Sequence, residues 1–206
     1  VGTVDERVDP TQIYFTPDFA ALSKDDVLYL HSQEHDSIFA WNARTCEWIS
    51  TIPLNGDPVA ITYSKENNAL YTAYSDGRIF SIGSAATNPI EIPFADLGEA
   101  TVNGVSAAGN YIIVSDSNGN LTSYDASGKK LSSKYYYYKM ITGVWDAAKR
   151  RIFFYRNGYS SERTYTIEVL ENGEIGELKD GPWDNSSNPK ATIRIHPNGS
   201  LLLGSG

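Results

Sequence analysis

Apolar positions along this chain come in short runs with β-type alternation. Val27-Leu28-Tyr29-Leu30, Ile38-Phe39-Ala40-Trp41 and Ala69-Leu70-Tyr71-Thr72 are such runs, as are Ile79-Phe80-Ser81-Ile82, Tyr111-Ile112-Ile113-Val114 and Ile152-Phe153-Phe154-Tyr155. Almost nowhere do apolar residues recur at i, i+3 and i+4 over a helical length, so each run is predicted to be a strand. Between the runs stand Ser75-Asp76-Gly77, Asn118-Gly119 and Asn157-Gly158. These residues tolerate the positive φ of tight hairpins.

The strands repeat. Pro17-Asp18-Phe19-Ala20-Ala21-Leu22-Ser23 aligns with Pro58-Val59-Ala60-Ile61-Thr62-Tyr63-Ser64, 41 residues on, and Ile38-Trp41 aligns with Ile79-Ile82 at the same offset. Ile79-Ile82 aligns with Leu121-Tyr124 42 residues on, and Asn103-Gly104-Val105 with Thr142-Gly143-Val144 at 39. A period near 40 with four strand signals per period predicts an all-β chain of four-stranded antiparallel propeller blades. Predicted blades run from Pro17 to Gly56, Asp57 to Ala100, Thr101 to Lys139 and Met140 to Asn188. A fifth, incomplete blade runs from Pro189 to Gly206 and comprises Ala191-Ile195 and Leu201-Leu203. The first strand of each blade is expected to line a central channel. The fourth, such as Glu47-Ile52 or Lys134-Tyr138, is expected at the rim. Gly2-Val8 could close the ring as an outer strand of the last blade; otherwise additional blades from the same parent chain complete it.

The cadence of Pro, inner strand, turn, Leu-Tyr-x-x, Asp-Gly and Ile-x-x-Ile/Trp resembles the YVTN-type β-propeller repeat, beside the lactonase-like and quinoprotein-like propellers. Leu70-Tyr71-Thr72-Ala73 and Leu28-Tyr29-Leu30-His31 match its naming strand, and Asp57-Pro58 and Asn188-Pro189 match the Pro before its inner strand. The resemblance covers Pro17 to Leu203. It implies a propeller of six to eight blades, of which about four and a half are present. Hydrolytic relatives implied by it carry acidic and amide ligands, or a His–Glu–Arg set, where the inner strands begin. The matching positions here are Asp18, Asp57, Asn103, Thr142 and Lys190. That mixture, with a lysine, makes a poor divalent-ion cage, so no catalytic residue and no metal ligand is carried over, and no cofactor is expected. Trp145-Asp146 spells the WD dipeptide but falls on an inner strand.

Composition narrows the function classes. The chain has 206 residues, 41% of them hydrophobic, and a net charge of −8. The acidic balance argues against nucleic-acid binding, which needs basic patches, and no apolar run approaches a bilayer span. Cys46 is the single cysteine, which excludes an intrachain disulfide; a lone cysteine ordinarily packs as a small hydrophobe. The chain begins at Val1, which reads as a processed product or a piece of a longer polypeptide. Sequons at Asn120, Asn185 and Asn198 point to a glycosylatable surface in a secreted context.

Other constellations carry little chemistry. His31 and His35 are spaced i, i+4 but are expected at a strand end and surface turn, so no zinc face forms; His196 stands alone. Asp116-Ser117-Asn118-Gly119-Asn120 begins like a calcium loop but has Leu121 where the loop needs Gly and Ser127 where it needs Glu. It is expected to be a turn equivalent to Ser75-Asp76-Gly77. Tyr135-Tyr136-Tyr137-Tyr138 should alternate between inter-blade packing and solvent. Arg150-Arg151 and Lys129-Lys130 read as solvated pairs, and Glu171, Glu174, Glu177 and Asp180 as a loop. The expectation is therefore a non-catalytic recognition or scaffold domain of a secreted or cell-surface protein, extracellular or periplasmic, with a protein or carbohydrate ligand at an unassigned site. The alternatives are a lactonase-like hydrolase and a quinoprotein-like redox or ligand-binding propeller, for which Trp145 is the inner-strand aromatic.

Overall fold

A computed structural model of the chain describes residues 15–84, 89–136, 140, 143–155, 163–183, 192–195 and 201–204, with backbone alone at 155, 163, 181–183, 192–195 and 201–204. Four sheets follow one another, each a meander of four antiparallel strands in chain order. The first is β1 (Phe19–Leu22), β2 (Val27–Ser32), β3 (Ser37–Asn42) and β4 (Trp48–Pro53). The second is β5 (Ala60–Ser64), β6 (Ala69–Ala73), β7 (Arg78–Gly83) and β8 (Ile92–Asp96). The third is β9 (Val102–Ala108), β10 (Tyr111–Asp116), β11 (Asn120–Tyr124) and β12 (Lys130–Tyr135). The fourth is β13 (Val144–Asp146), β14 (Arg151–Tyr155), β15 (Arg163–Val169) and β16 (Ile175–Trp183), and β17 (Thr192–Ile195) pairs with β18 (Leu201–Gly204).

The sheets stack face to face with their first strands together: β1 beside β5, β5 beside β9, β9 beside β13, and β13 beside β17. This is the radial blade arrangement that the 41-residue register predicts. Three apolar clusters fill the three seams between the four-stranded sheets. Tyr29, Ile38, Ile52, Leu70 and Ile82 join the first and second sheets. Tyr71, Ile79, Val105, Ile112, Val114 and Tyr124 join the second and third. Ile113, Leu121, Met140, Ile152, Phe154 and Ile167 join the third and fourth.

Hairpin chemistry follows the sequence. The Gly77 N–H donates to the Tyr74 carbonyl at 3.1 Å and the Gly119 N–H to that of Asp116 at 3.1 Å, so the two turns are equivalent. The outer strands are less regular. Ala40 pairs with Ser50 but Trp41 with Trp48; Ile79 pairs with Ala95 but Phe80 with Pro93; Ser123 pairs with Ser132 but Tyr124 with Lys130. Each of these fourth strands therefore carries one extra residue, a β-bulge, at Ile49, Phe94 and Leu131.

Tyr135, the last residue of β12, is 66% exposed, and Tyr136 packs against the third seam and donates from its hydroxyl to the Gly176 carbonyl at 3.1 Å, so these two alternate between solvent and packing as expected. Two expectations change. Cys46 is exposed, at φ 58° in the turn between β3 and β4, where there is no core to join. Arg150 and Arg151 are not simply solvated. Arg150 donates to the carbonyls of Val169 (3.2 Å) and Leu170 (2.8 Å), and the Arg151 guanidinium lies 4.8 Å over the Phe153 ring. Gly2-Val8, Asn157-Gly158, Tyr137-Tyr138, Asn188-Pro189 and Pro197-Asn198-Gly199 lie outside the described residues.

Two glycines test the seam geometry with opposite signs. Gly128 sits at φ +85°, and a Cβ there would lie 2.1 Å from the Phe94 carbonyl oxygen across the second seam. At Gly83 a Cβ meets nothing within 4 Å. Gly128→Ala is expected to cost about 2 kcal/mol or more. Gly83→Ala should be neutral or stabilise by up to about 1 kcal/mol. Urea midpoints of the two variants check both signs.

Candidate functional site

The sequence points first to the beginnings of the inner strands. Asp18 and Asp57 are both held by one residue: Gln33 donates its backbone N–H to Asp18 Oδ2 at 3.0 Å and its amide Nε2 to Asp57 Oδ2 at 2.6 Å. Gln33 belongs to a 3-10 turn, Gln33–His35, between β2 and β3. The arrangement ties the first blade to the second. Asn103 lies within β9 and donates to the Asp116 carbonyl at 2.6 Å. Thr142, Lys190 and His196 lie outside the described residues, among which no group of three acidic, histidine or cysteine side chains is spaced to hold a metal.

His31 is not at a surface turn. It lies inside β2, 3% exposed, with Nδ1 3.9 Å from Asp18 Oδ2 and with Nε2 lacking a hydrogen-bond partner. Alternation along β2 sends it to the same face as Tyr29, into the first seam, which short-range spacing does not reveal. His35 lies apart. Its Nδ1 is 2.8 Å from the Ser32 hydroxyl, and its ring packs beside Phe15 and Phe39. Trp145 is on inner strand β13, as expected, but packs against the third-seam cluster with the Arg150 guanidinium 6.0 Å from its ring.

A concavity among the described residues lies elsewhere, at the rim of the second seam. A cleft of about 320 Å³ separates the outer end of β8 from β11 and β12. Alternation along β11 sends Asn120, Thr122 and Tyr124 toward the second blade and Leu121 toward the fourth. The bulge at Leu131 then sets Lys130 opposite Tyr124, and both line the cleft. Thr122 and Ser133 face each other across the two strands with their hydroxyls 2.9 Å apart. Asp96 contributes from β8 and Asp116 from the end of β10.

The charges there are incompletely matched. Asp116 is 8% exposed and accepts from the Asn120 backbone N–H (2.8 Å) and side-chain amide (2.9 Å), both neutral donors. Asp96 Oδ1 accepts from the Gly98 N–H at 2.7 Å. Among the described residues no cation pairs with either carboxylate. Tyr124 is 5% exposed, its ring 6.0 Å from Phe94, and its hydroxyl has no hydrogen-bond partner among the described residues. Burial first, then the neighbouring Asp116 and Asp96, push its ionisation up. Lys130 is likewise in no ion pair. Sequence reasoning missed this set because it joins residues of two blades through a bulge. In the sequence Asn120 belongs to a sequon and to the Asp116–Asn120 turn, and Lys130 to a basic pair; the Asn120 amide is engaged by Asp116.

The fold these elements define is a β-propeller. No family model matches the chain, and no curated relative does. Solved structures are similar in fold. Hydrazine synthase of Kuenenia stuttgartiensis aligns at a TM-score of 0.69 and 15% identity, over 95% of this chain and 58% of that one. A chain of the mitotic checkpoint complex aligns at 0.64 and 12%, over 90% of this chain and 60% of its own length. A protein from Lactobacillus plantarum aligns at 0.60 and 14%, over 91% and 69%. The chain thus spans about three-fifths of the length of the first two.

The seam histidine gives a pH signature. Burial, the dominant influence, pushes His31 below the usual imidazole range against the opposing pull of Asp18, Asp57 and Asp36. The folded state therefore holds the ring neutral, and the unfolded chain protonates first as pH falls. His31 contributes stability above about pH 6.5 that is lost below it. Urea midpoints at about pH 7.5 and about pH 5 should differ more in the wild-type chain than in His31→Leu.

Proposed function

We propose that this chain is a non-catalytic recognition or scaffold domain of a secreted or cell-surface protein, extracellular or periplasmic, and that a protein or carbohydrate ligand occupies the rim cleft of the second seam. The observation that supports the reading is the polar lining of that cleft, where the Tyr124 hydroxyl and the Lys130 ammonium have no partner among the described residues and Asp96 keeps one carboxylate oxygen unengaged. Buried polar groups are ordinarily paired within a protein. A nearly buried carboxylate held only by the neutral donors of Asn120, beside a Tyr124 hydroxyl with no hydrogen-bond partner among the described residues, is suited to a ligand's donors. At the channel side, by contrast, Asp18 and Asp57 are joined through Gln33, which suits a blade joint better than the acid–base set of a lactonase-like hydrolase. Trp145 is committed to seam packing, which disfavours the quinoprotein-like alternative.

Screening the chain against peptide and glycan arrays tests the reading. Ser133 is exposed at the cleft, so Ser133→Trp obstructs it without entering the core. Binding of a hit should fall about tenfold or more in that variant. Binding that is indifferent to Ser133→Trp would remove the cleft from the proposal.

A second reading rests on the first blade. Its face away from the second blade carries Leu22, 52% exposed, and Ile49, 47% exposed, beside Trp48 on the same outer strand. The second and third blades bury both faces. We infer that additional blades of the same propeller, supplied by the parent chain, lie against this face, in keeping with the greater length of the similar structures. The chain by itself should enhance the fluorescence of an apolar dye such as ANS. Replacing Leu22 and Ile49 together by serine should reduce that signal; an unchanged signal would mean the face is not the exposed patch.

A further inference from the structure

We propose that the rim cleft is a socket for the guanidinium of an arginine side chain on a partner polypeptide. The inference rests on the recognition reading above and names its ligand chemistry. The cleft is acceptor-rich and carries negative charge. Asp116 is nearly buried and is held only by the two neutral donors of Asn120. Asp96 keeps Oδ2 unengaged while Oδ1 holds the Gly98 N–H. The Tyr124 hydroxyl, on a side chain nineteen-twentieths buried, faces the cleft without a partner. A carboxylate withdrawn from water gains most from a cationic donor, because charge-assisted hydrogen bonds are the strong ones.

The shape of that donor follows from where the acceptors sit. They belong to two blades: Asp96 to β8, Asp116 and Tyr124 to β10 and β11. A lysine ammonium is a compact point charge, whereas guanidinium presents five N–H donors in a planar fork that can address separate acceptors together. A divalent ion is poorly served, since no third acidic, histidine or cysteine ligand joins the two carboxylates among the described residues. At about 320 Å³, the cleft is at the small end of ligand sites, which suits one side chain better than a whole cofactor. β12 is the last strand of its sheet. Its outer edge offers backbone groups along which a partner segment can lie while its arginine enters the cleft.

Lys130 gives the proposal a sign that a general acidic patch would not. It lines the same cleft opposite Tyr124 and pairs with no carboxylate among the described residues. An incoming cation meets it as a like charge, so Lys130→Gln should strengthen arginine binding while Asp96→Asn weakens it. Asp96 is exposed at the end of β8, so its substitution leaves the core intact.

The experiment is an amide NMR titration of the full chain with three probes. These are a blocked Gly-Gly-Arg-Gly-Gly peptide, the same peptide with citrulline for arginine, and a neutral disaccharide. Saturable shifts of the Asn120–Tyr124 and Lys130–Ser133 amides are expected with the arginine peptide. Affinity should be weaker by about tenfold or more with citrulline and in Asp96→Asn, and stronger in Lys130→Gln. Equal responses to arginine and citrulline, or a weaker response in Lys130→Gln, overturn the proposal. If the disaccharide moves these amides and the arginine peptide does not, the cleft is a recognition site and the arginine assignment is wrong. If no probe moves them, the arginine assignment and the recognition reading of the cleft both fall.

Discussion

The whole structure depends on burying both faces of a four-stranded sheet. In β6 every residue from Ala69 to Ala73 is buried, and in β10 every residue from Ile112 to Asp116. Neighbouring side chains along one strand serve different seams: Leu70 belongs to the first and Tyr71 to the second, Ile112 and Val114 to the second and Ile113 to the third. A sheet of this kind cannot stand alone in water. Each blade is stable because its neighbours cover it, and stability in such an array is a sum over seams. Nothing in this scheme requires a helix.

Seams filled from both sides still meet water at their outer ends, where the fourth strands diverge. There the bulges act. At Phe94 the extra residue of β8 directs a ring between Tyr71 (centroids 4.9 Å) and Tyr124 (6.0 Å), so the rim strand reaches into the core of the second seam. At Leu131 the extra residue restores the register of faces. Lys130 then comes round to the side of Tyr124, while Leu131 lies toward Gly173 of the fourth blade. A bulge shifts every residue beyond it to the opposite face, and the chemistry at the cleft depends on that shift.

The blade repeat was legible because it is written in long-range register. Two separate segments share the offset of 41, and each shared segment, from the inner strand to Ile38–Trp41 and Ile79–Ile82, is a strand in its sheet. Turn chemistry at Gly77 and Gly119 was legible for a local reason, since only residues that accept positive φ close such hairpins. The candidate site was not. Asp96, Asp116, Tyr124 and Lys130 are unremarkable one by one, and their meeting depends on a stacking contact and a one-residue bulge. Neither leaves a period in the sequence. His31 was misplaced for the related reason that the start of a hairpin and the end of a buried strand look alike until the neighbouring blade is known.

The rims of the seams between the four-stranded sheets differ in how their polar groups are paired. At the first, Glu91 accepts from Thr72, from the Tyr74 hydroxyl at 2.7 Å, and from both the backbone and side-chain nitrogens of Asn55 at 2.8 Å. The connection between blades is thereby clasped to the rim strand. At the third, Lys134 and Tyr136 both donate to the Gly176 carbonyl at 3.1 Å, the Ile175 N–H donates to the Ser132 hydroxyl at 3.0 Å, and the Tyr111 hydroxyl donates to the Glu171 carbonyl at 2.6 Å. The second seam is tied on its inner side, where Asn67 and Ser64 donate to the carbonyls of Asn110 (3.4 Å) and Gly109 (3.3 Å). No described hydrogen bond links the Tyr124 hydroxyl or the Asp116 carboxylate to the second blade. Identical stacking thus produces two closed rims and one open rim. The difference lies in a few polar residues that the repeat itself does not constrain, where a scaffold of this kind can acquire a binding site without disturbing its core.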